Sequence, residues 1–235
     1  MMACVWKKEG ESMKPVIISC KTIENELLSA MKDLNCEYRV LWLESGLHNV
    51  PKQLNARLQE LLDNCREYDT VLLAMSFCGN SLIGLRTHDF QLVVPRCDDC
   101  ITLLLGSLER RQEISATYFL TEGWLQGERN LWVEYENCIQ KYGGKRGKKI
   151  FSVMLANYRN LALLDTGCFD KEKTEAETRK ISQELGLEYT EIKGTLQYIK
   201  ELLSGCWPEQ RFLRIPPNSV VSYDACTLKG GTYGA

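Results

Sequence analysis

Histidine is nearly absent: the 235 residues hold two, His48 and His88, both in stretches read as loops. So few imidazoles leave little from which to build a Ser-His-Asp or Cys-His hydrolase. The glycine patterns that cradle phosphates are missing as well. The chain contains neither G-x-G-x-x-G nor G-x-x-x-x-G-K-[ST], and it has no G-x-S-x-G or H-E-x-x-H. No apolar run is longer than a strand, which argues against a membrane-spanning helix. Charge of one sign is not in excess: 29 Lys and Arg against 31 Asp and Glu give a formal charge of -2. That balance carries no electrostatic footprint for nucleic acid. The one basic run, Lys141 to Lys149, is glycine-rich and reads as a solvated connector. The N-terminal stretch MMACVWKKEGESMKP lacks the apolar core of a secretory signal.

Cysteine, by contrast, is abundant. Eleven are spread at irregular spacing, an odd number without the density of a disulfide scaffold. In the absence of an export signal they are expected to be reduced thiols of a cytoplasmic protein, in a strongly reducing cell. The remaining composition, 44% hydrophobic and 26% charged, is that of ordinary globular domains. The length allows one large α/β domain or two small ones.

Short β-branched runs alternate with amphipathic segments along the whole chain. Pro15 to Cys20, Tyr38 to Leu43, Thr70 to Met75, Phe90 to Val94 and Ala116 to Leu120 read as strands. Helices are expected from the Thr22 cap, from Pro51, over Asp98 to Arg111, and over Trp124 to Lys141. Beyond the glycine-rich connector at 142–148, Lys149 to Met154, Asn160 to Leu164, Leu187 to Ile192 and Phe212 to Ile215 read as strands. Lys171 to Leu185, closed by Gly186, and Thr195 to Leu203 read as helices. The fold class is therefore α/β, with two Rossmann-like lobes, mostly parallel sheets and helices on both faces. Their expected limits are a flexible extension at 1–13, a first lobe at 14–141, a second at 149–222 and a tail at 223–235, mobile from Lys229.

The chemistry concentrates between Thr70 and Ser107, where two buried strands end in thiols, carboxylates and glycine on one edge. In open α/β sheets ligands bind in the crevice outside the carboxyl ends of the strands. Cys97-Asp98-Asp99-Cys100 is a C-x-x-C at a helix start, where unpaired N–H groups favour thiolates. Three readings stand open: a redox dithiol, a pair of metal ligands, or a helix cap with Cys100 as a small core residue. The two acidic residues between the sulfurs work against the first. Cys78-Gly79, with Asn80 and Ser81 behind it, follows the third strand, and Cys20 ends the first. Cys20, Cys78, Cys97 and Cys100 are thus candidate ligands of one soft site, for zinc or an iron–sulfur cluster. Thr121-Glu122-Gly123-Trp124 follows the fifth strand on the same edge and offers a hydroxyl, a carboxylate and an aromatic wall. Read simply, it is a capped helix start. Asp165-Thr166-Gly167-Cys168 repeats the pattern in the second lobe.

Three blocks carry a resemblance: C-G-N-x-x-x-G-L from Cys78, L-V-x-P-R-x-D-D-C-I-x-L-L-L-G-S up to Ser107, and A-T-Y-F-L-T-E-G-W ending at Trp124. With Asp165 to Gly167, Gly194-x-Leu196 and F-L-x-I-x-P at 212–217, the chain resembles an uncharacterised family of bacterial and archaeal proteins, defined as a domain of unknown function. Its members are common in anaerobes and often encoded near corrinoid-dependent methyltransferases. The resemblance implies a protein of anaerobic one-carbon metabolism that binds a corrinoid (cobalamin) or a thiolate-bound metal, with corrinoid proteins or methyltransferases as partners. Cys78, Gly79, Asn80, Ser81, Asp98, Asp99, Thr121, Glu122, Gly123 and Trp124 are then the expected cofactor contacts. The D-x-H-x-x-G motif that offers histidine to cobalt is absent, so a corrinoid would need another binding mode. The competing class is a methyltransferase or metal-dependent enzyme with Asp98, Asp99 or Glu122 as acid or base.

Overall fold

In a computed structural model the chain is described over residues 14–226, together with two short strands that pair antiparallel, β1 (Lys7–Lys8) and β2 (Glu11–Ser12). The rest of the expected N-terminal extension and the tail beyond 226 lie outside the described residues. The architecture is α/β: two mostly parallel sheets with helices packed on them.

The first sheet contains β3 (Pro15–Cys20), β4 (Arg39–Leu43), β5 (Thr70–Ala74), β6 (Gln91–Pro95) and β10 (Phe212–Ile215), in the order β10-β6-β5-β3-β4. The first four are parallel and β10 runs antiparallel along the β6 edge. From β3 the chain crosses through α1 (Glu24–Asp33) to β4, then returns through α2 (Pro51–Asp63) past β3 to β5. The two crossovers cover opposite faces, and strand order reverses between β3 and β5. A crevice opens at such a reversal, outside the carboxyl ends of the two strands.

The period of two in a strand explains the layers. In the first sheet Val16, Ile18, Val71, Leu73, Leu92 and Val94 point to a core shared with Leu54, Leu58 and Leu62 of α2. Ile17, Leu72 and Val93, one residue out of phase, point to the opposite core. There they meet α1, α3 (Cys100–Leu105) and α9 (Gln197–Ser204), and beyond these Phe119, Ala162 and Leu164 of the second sheet. That sheet has β7 (Thr117–Leu120), β8 (Asn160–Asp165) and β9 (Glu188–Lys193), all parallel. Its far face packs on α6 (Leu131–Tyr142), α7 (Gly144–Met154) and α8 (Lys171–Leu185). One helix layer therefore serves both sheets.

This arrangement divides the chain differently from two lobes joined at 142–148. Strand β7 joins β8, not the first sheet, and β10 returns to β6. The segment 149–154, read as a strand, is the end of helix α7. Only Phe151 of its apolar run is well buried, while Val153 and Met154 are 69% and 61% exposed. A short apolar run does not by itself separate strand from helix. The connecting glycines also act otherwise than expected. At Gly147 a side chain would sit 2.9 Å from the Ile139 backbone, so its absence lets α6 and α7 pack closely. The helix expected over Asp98 to Arg111 breaks at Gly106, whose φ of +90° ends α3. Ser107 then caps α4 (Leu108–Glu113) through the Arg110 amide. The helix expected from Trp124 likewise splits into α5 (Glu122–Leu125) and α6, the second capped by Asn130. Thr22 lies in a 3-10 turn, Lys21–Ile23, and does not cap α1. The last described helix is α10 (Tyr223–Cys226), within the stretch read as the tail.

Among the described residues no helix is long and apolar enough to cross a membrane. Nine of the described cysteines are free thiols; Cys36 is disulfide-bonded, against the expectation of a wholly reduced set.

Candidate functional site

A cavity of about 330 Å³ opens at the strand-order reversal. Its lining brings together Cys20 after β3, Leu43 and His48 after β4, Met75, Cys78 and Gly79 after β5, and Asp98 to Ile101 after β6. Leu54 and Pro51 of α2 close one side and Trp124 of α5 closes the other. The walls are mostly aliphatic and aromatic, with a few thiol and carboxylate groups converging.

The thiols are positioned by the loops that follow the two central strands. After β5, the Phe77 and Cys78 amides donate to the Cys97 and Asp98 carbonyls at 2.9 and 3.1 Å, tying the loop after β5 to the loop after β6. Cys78 has φ of +44° and Gly79 of +68°. A non-glycine residue in this region is uncommon and costs about 1 kcal/mol or more. Ser76, fully buried, lies 3.1 Å from Cys78 Sγ and 3.6 Å from Cys100 Sγ. Cys100 and Cys78 are hydrogen-bonded to each other, and the bond acts oppositely on the two. It holds the Cys78 thiol below its ordinary value, against the effect of burial, with Ser76 helping. The same bond, with burial, pushes Cys100 well up. The lowering falls on Cys78 and the raising on Cys100, the directions expected when the Cys100 thiol is the donor of the pair. Cys20 completes the trio on the lining, 3.1 Å from Thr22 Oγ1; burial and the neighbouring Cys100 raise its thiol.

Cys97 does not join them. It lies before the helix cap, fully buried in the core beside Tyr198, and burial pushes its thiol well up. Among the described residues no group of three or more His, Cys, Asp or Glu side chains is placed to hold a metal ion.

The other expected contacts divide between lining and scaffold. Gly79, Asp98, Asp99 and Trp124 line the cavity; Asn80, Ser81, Thr121, Glu122 and Gly123 do not. Asn80 is exposed in the turn, and Ser81 is buried with its hydroxyl on the Phe77 carbonyl. Asp99 caps α3, accepting from the Thr102 amide and hydroxyl at 2.7 Å each, with Arg111 at 3.7 Å. Its carboxylate is thus mainly structural. Glu122 accepts from Asn25 at 2.8 Å. Thr121 is fully buried, and its hydroxyl has no hydrogen-bond partner among the described residues. Gly123 presses against the Thr22 carbonyl. Gly123 against Thr22 and Glu122 on Asn25 of α1 together hold α5 beside the 3-10 turn after β3, which brings Trp124 to the cavity.

Sequence reasoning passed over the wall supplied by Leu43, Leu47, His48, Pro51 and Leu54. The signal was present, since Glu44 to Pro51 follows a strand on the same edge. His48 is exposed at the cavity mouth, and the desolvation it meets there lowers its pKa, partly opposed by Glu134.

The loop Asp165 to Cys168 serves a different purpose. Thr166 donates to Glu26 Oε1 at 2.8 Å, joining the end of β8 to α1. Glu26 is 1% exposed, and burial, reinforced by nearby Glu122, raises its carboxyl pKa. A raised folded-state value means that folding favours the protonated acid. The stability it contributes is full below the unfolded value of about 4.3 and is lost as pH rises to the folded value. Glu26→Gln is therefore expected to gain stability relative to the parent between acidic and neutral pH. Urea midpoints measured at both ends check this; a difference that stays constant would rule out the buried acid.

A family model described as "Protein of unknown function (DUF1638)" matches residues 42–203, more than half of the chain. No curated protein and no solved structure matches.

Proposed function

The chain belongs to the DUF1638 family, and from its strand-end cavity we propose that it is a cofactor-binding protein in which Cys78 is the soft contact to the ligand. The observation that carries the reading is the hydrogen-bonded Cys78–Cys100 pair on the cavity wall, with ionisation directed to Cys78. A thiolate in an apolar pocket is a donor for a soft metal centre. A zinc or iron–sulfur centre held by protein thiolates alone does not suit this wall, because Cys97 faces the core and no ligand group is assembled.

A corrinoid suits it better, as the resemblance implies, in the setting of one-carbon metabolism with corrinoid proteins or methyltransferases as partners. Cys78 would offer one sulfur donor, and Trp124 and Ile101 would offer flat apolar walls to the part of the cofactor that enters. The cofactor, when bound, supplies a metal able to carry a methyl group. The protein's own share is to favour ionisation of Cys78, through Cys100 and Ser76, at the cavity wall.

Anaerobic titration with cobalamin and with cobinamide, followed by visible absorption and thermal shift, tests the reading. A band shift is expected in the parent protein and is expected to vanish in Cys78→Ala. In Cys100→Ala affinity is expected to fall about tenfold, the worth of one hydrogen bond to a charged group. Circular dichroism confirms that both variants fold. If the parent shows neither a spectral nor a thermal response, the cofactor reading fails. The lowered Cys78 thiol also supports a second reading, a methyltransferase in which Cys78 is the nucleophile. Methyl transfer from a small molecule without added cofactor would favour it.

A further inference from the structure

We infer that the part of the ligand entering the strand-end cavity is uncharged or cationic, and that this site has no place for a phosphate or carboxylate. The inference rests on the reading of this cavity as the ligand site and narrows what it accepts. In doubly wound sheets of this order, the strand reversal is where nucleotide cofactors place their phosphates, against helix N-termini and basic or glycine-rich loops. Here the position is the same and the chemistry is opposite.

The lining, among the described residues, contains no lysine or arginine. It contains three carboxylates, Glu44, Asp98 and Asp99, besides the Cys78 thiol. Two of the basic groups near the rim are already matched: Arg57 pairs with Glu44 at 3.4 Å and with Glu60 at 2.7 Å, and Arg111 faces Asp99. Lys21, exposed, acts on Glu44 from farther off. His48, the one histidine on the lining, is exposed and has its pKa lowered by desolvation. The Phe77 and Cys78 amides, which could have received an oxyanion, are spent on the Cys97 and Asp98 carbonyls. An anion entering would lose its hydration and meet three carboxylates, with no lysine or arginine on the lining to offset them. A cation would meet those carboxylates, the Cys78 sulfur and the Trp124 indole, a ring whose face attracts positive charge.

A pair of thiol reagents of like size and opposite charge reads this directly. The trimethylammonioethyl and sulfonatoethyl methanethiosulfonates react with a thiolate in the same way. The sulfur attacks the sulfenyl sulfur, a disulfide forms, and methanesulfinate leaves with the electron pair. Rates at Cys78 and at exposed Cys206 are followed in the full chain by peptide mass, Cys206 serving as the internal reference. The cation-to-anion rate ratio at Cys78 is expected to exceed that at Cys206 by about tenfold or more, as for a cleft of one sign of charge. Equal ratios at the two sites would overturn the charge selectivity while leaving the cavity as a ligand site. A Cys78 that neither reagent reaches, while Cys206 reacts, would overturn both the selectivity and the proposed soft contact.

Discussion

A fragment cut at the limits of the family match, residues 42–203, is expected not to fold. The match begins inside β4 and so leaves out β3, which lies between β4 and β5 and bonds to both. Without it the matched strands have no common neighbour, and α1 and β10 are missing as well. Val16, Ile17, Ile18, Ile23, Leu27 and Ala30 are fully buried, and Phe212 is 1% exposed. Each large apolar side chain among them contributes about 1.5–3 kcal/mol. Together they are as large as the whole net stability of a typical domain, about 5–15 kcal/mol. Far-ultraviolet circular dichroism and a urea titration check this against the full chain. A sharp cooperative transition in the fragment would show that the two sheets do not depend on β3 as described.

Gly123→Ala is expected to destabilise by about 3 kcal/mol or more, the upper end of overpacking costs. The added methyl would overlap the Thr22 carbonyl oxygen and lie 2.9 Å from its carbon. Both atoms are backbone, so no rotamer change can relieve the clash; either α5 or the turn after β3 must move. Cys20 and Thr22 sit on one side of that contact and Trp124 on the other, and all three line the cavity. Loss of stability should therefore be accompanied by loss of ligand response. Gly144→Ala is the control, because a methyl there meets nothing within 4 Å. Comparing urea midpoints separates the two; similar values would mean that α5 is not pressed on the turn.

The first sheet was legible because its central strands β3, β5 and β6 are buried on both faces and β4 keeps the same apolar run. Such strands read as continuous apolar runs, and β3, β4, β5 and β6 lie within two residues of their expected limits. The crevice followed from topology, and Cys20, Cys78 and Cys100 do meet there. What a linear pattern does not carry is partnership between distant segments. Thr117–Leu120 looks the same whether it extends the first sheet or starts a second. Only its pairing with Asn160–Asp165 decides the matter. Two of the three readings of the C-x-x-C pair its sulfurs; the helix begins at Cys100 with Asp99 as its cap, as the third has it. Cys97 thus falls in the preceding extended segment and faces the core. Glycine misled in two ways. Gly106 ends a helix that the apolar pattern seemed to continue, and Gly147 marks close helix packing where a loose link was expected.

The thiols and the indole reach the cavity from different sheets. Cys20 and Cys78 follow β3 and β5, whereas Trp124 rides on the helix that follows β7. On the proposed reading, a ligand held there would be a clasp across the seam between the sheets. Its binding energy depends on their alignment, and by linkage it draws them into that alignment. The seam is already stitched at its far side, where the Thr195 amide donates to the Leu104 carbonyl and Arg110 to the Lys193 carbonyl. With one side sewn and the other closed by such a ligand, the cavity would act as a latch whose state is felt on the second sheet, well away from Cys78.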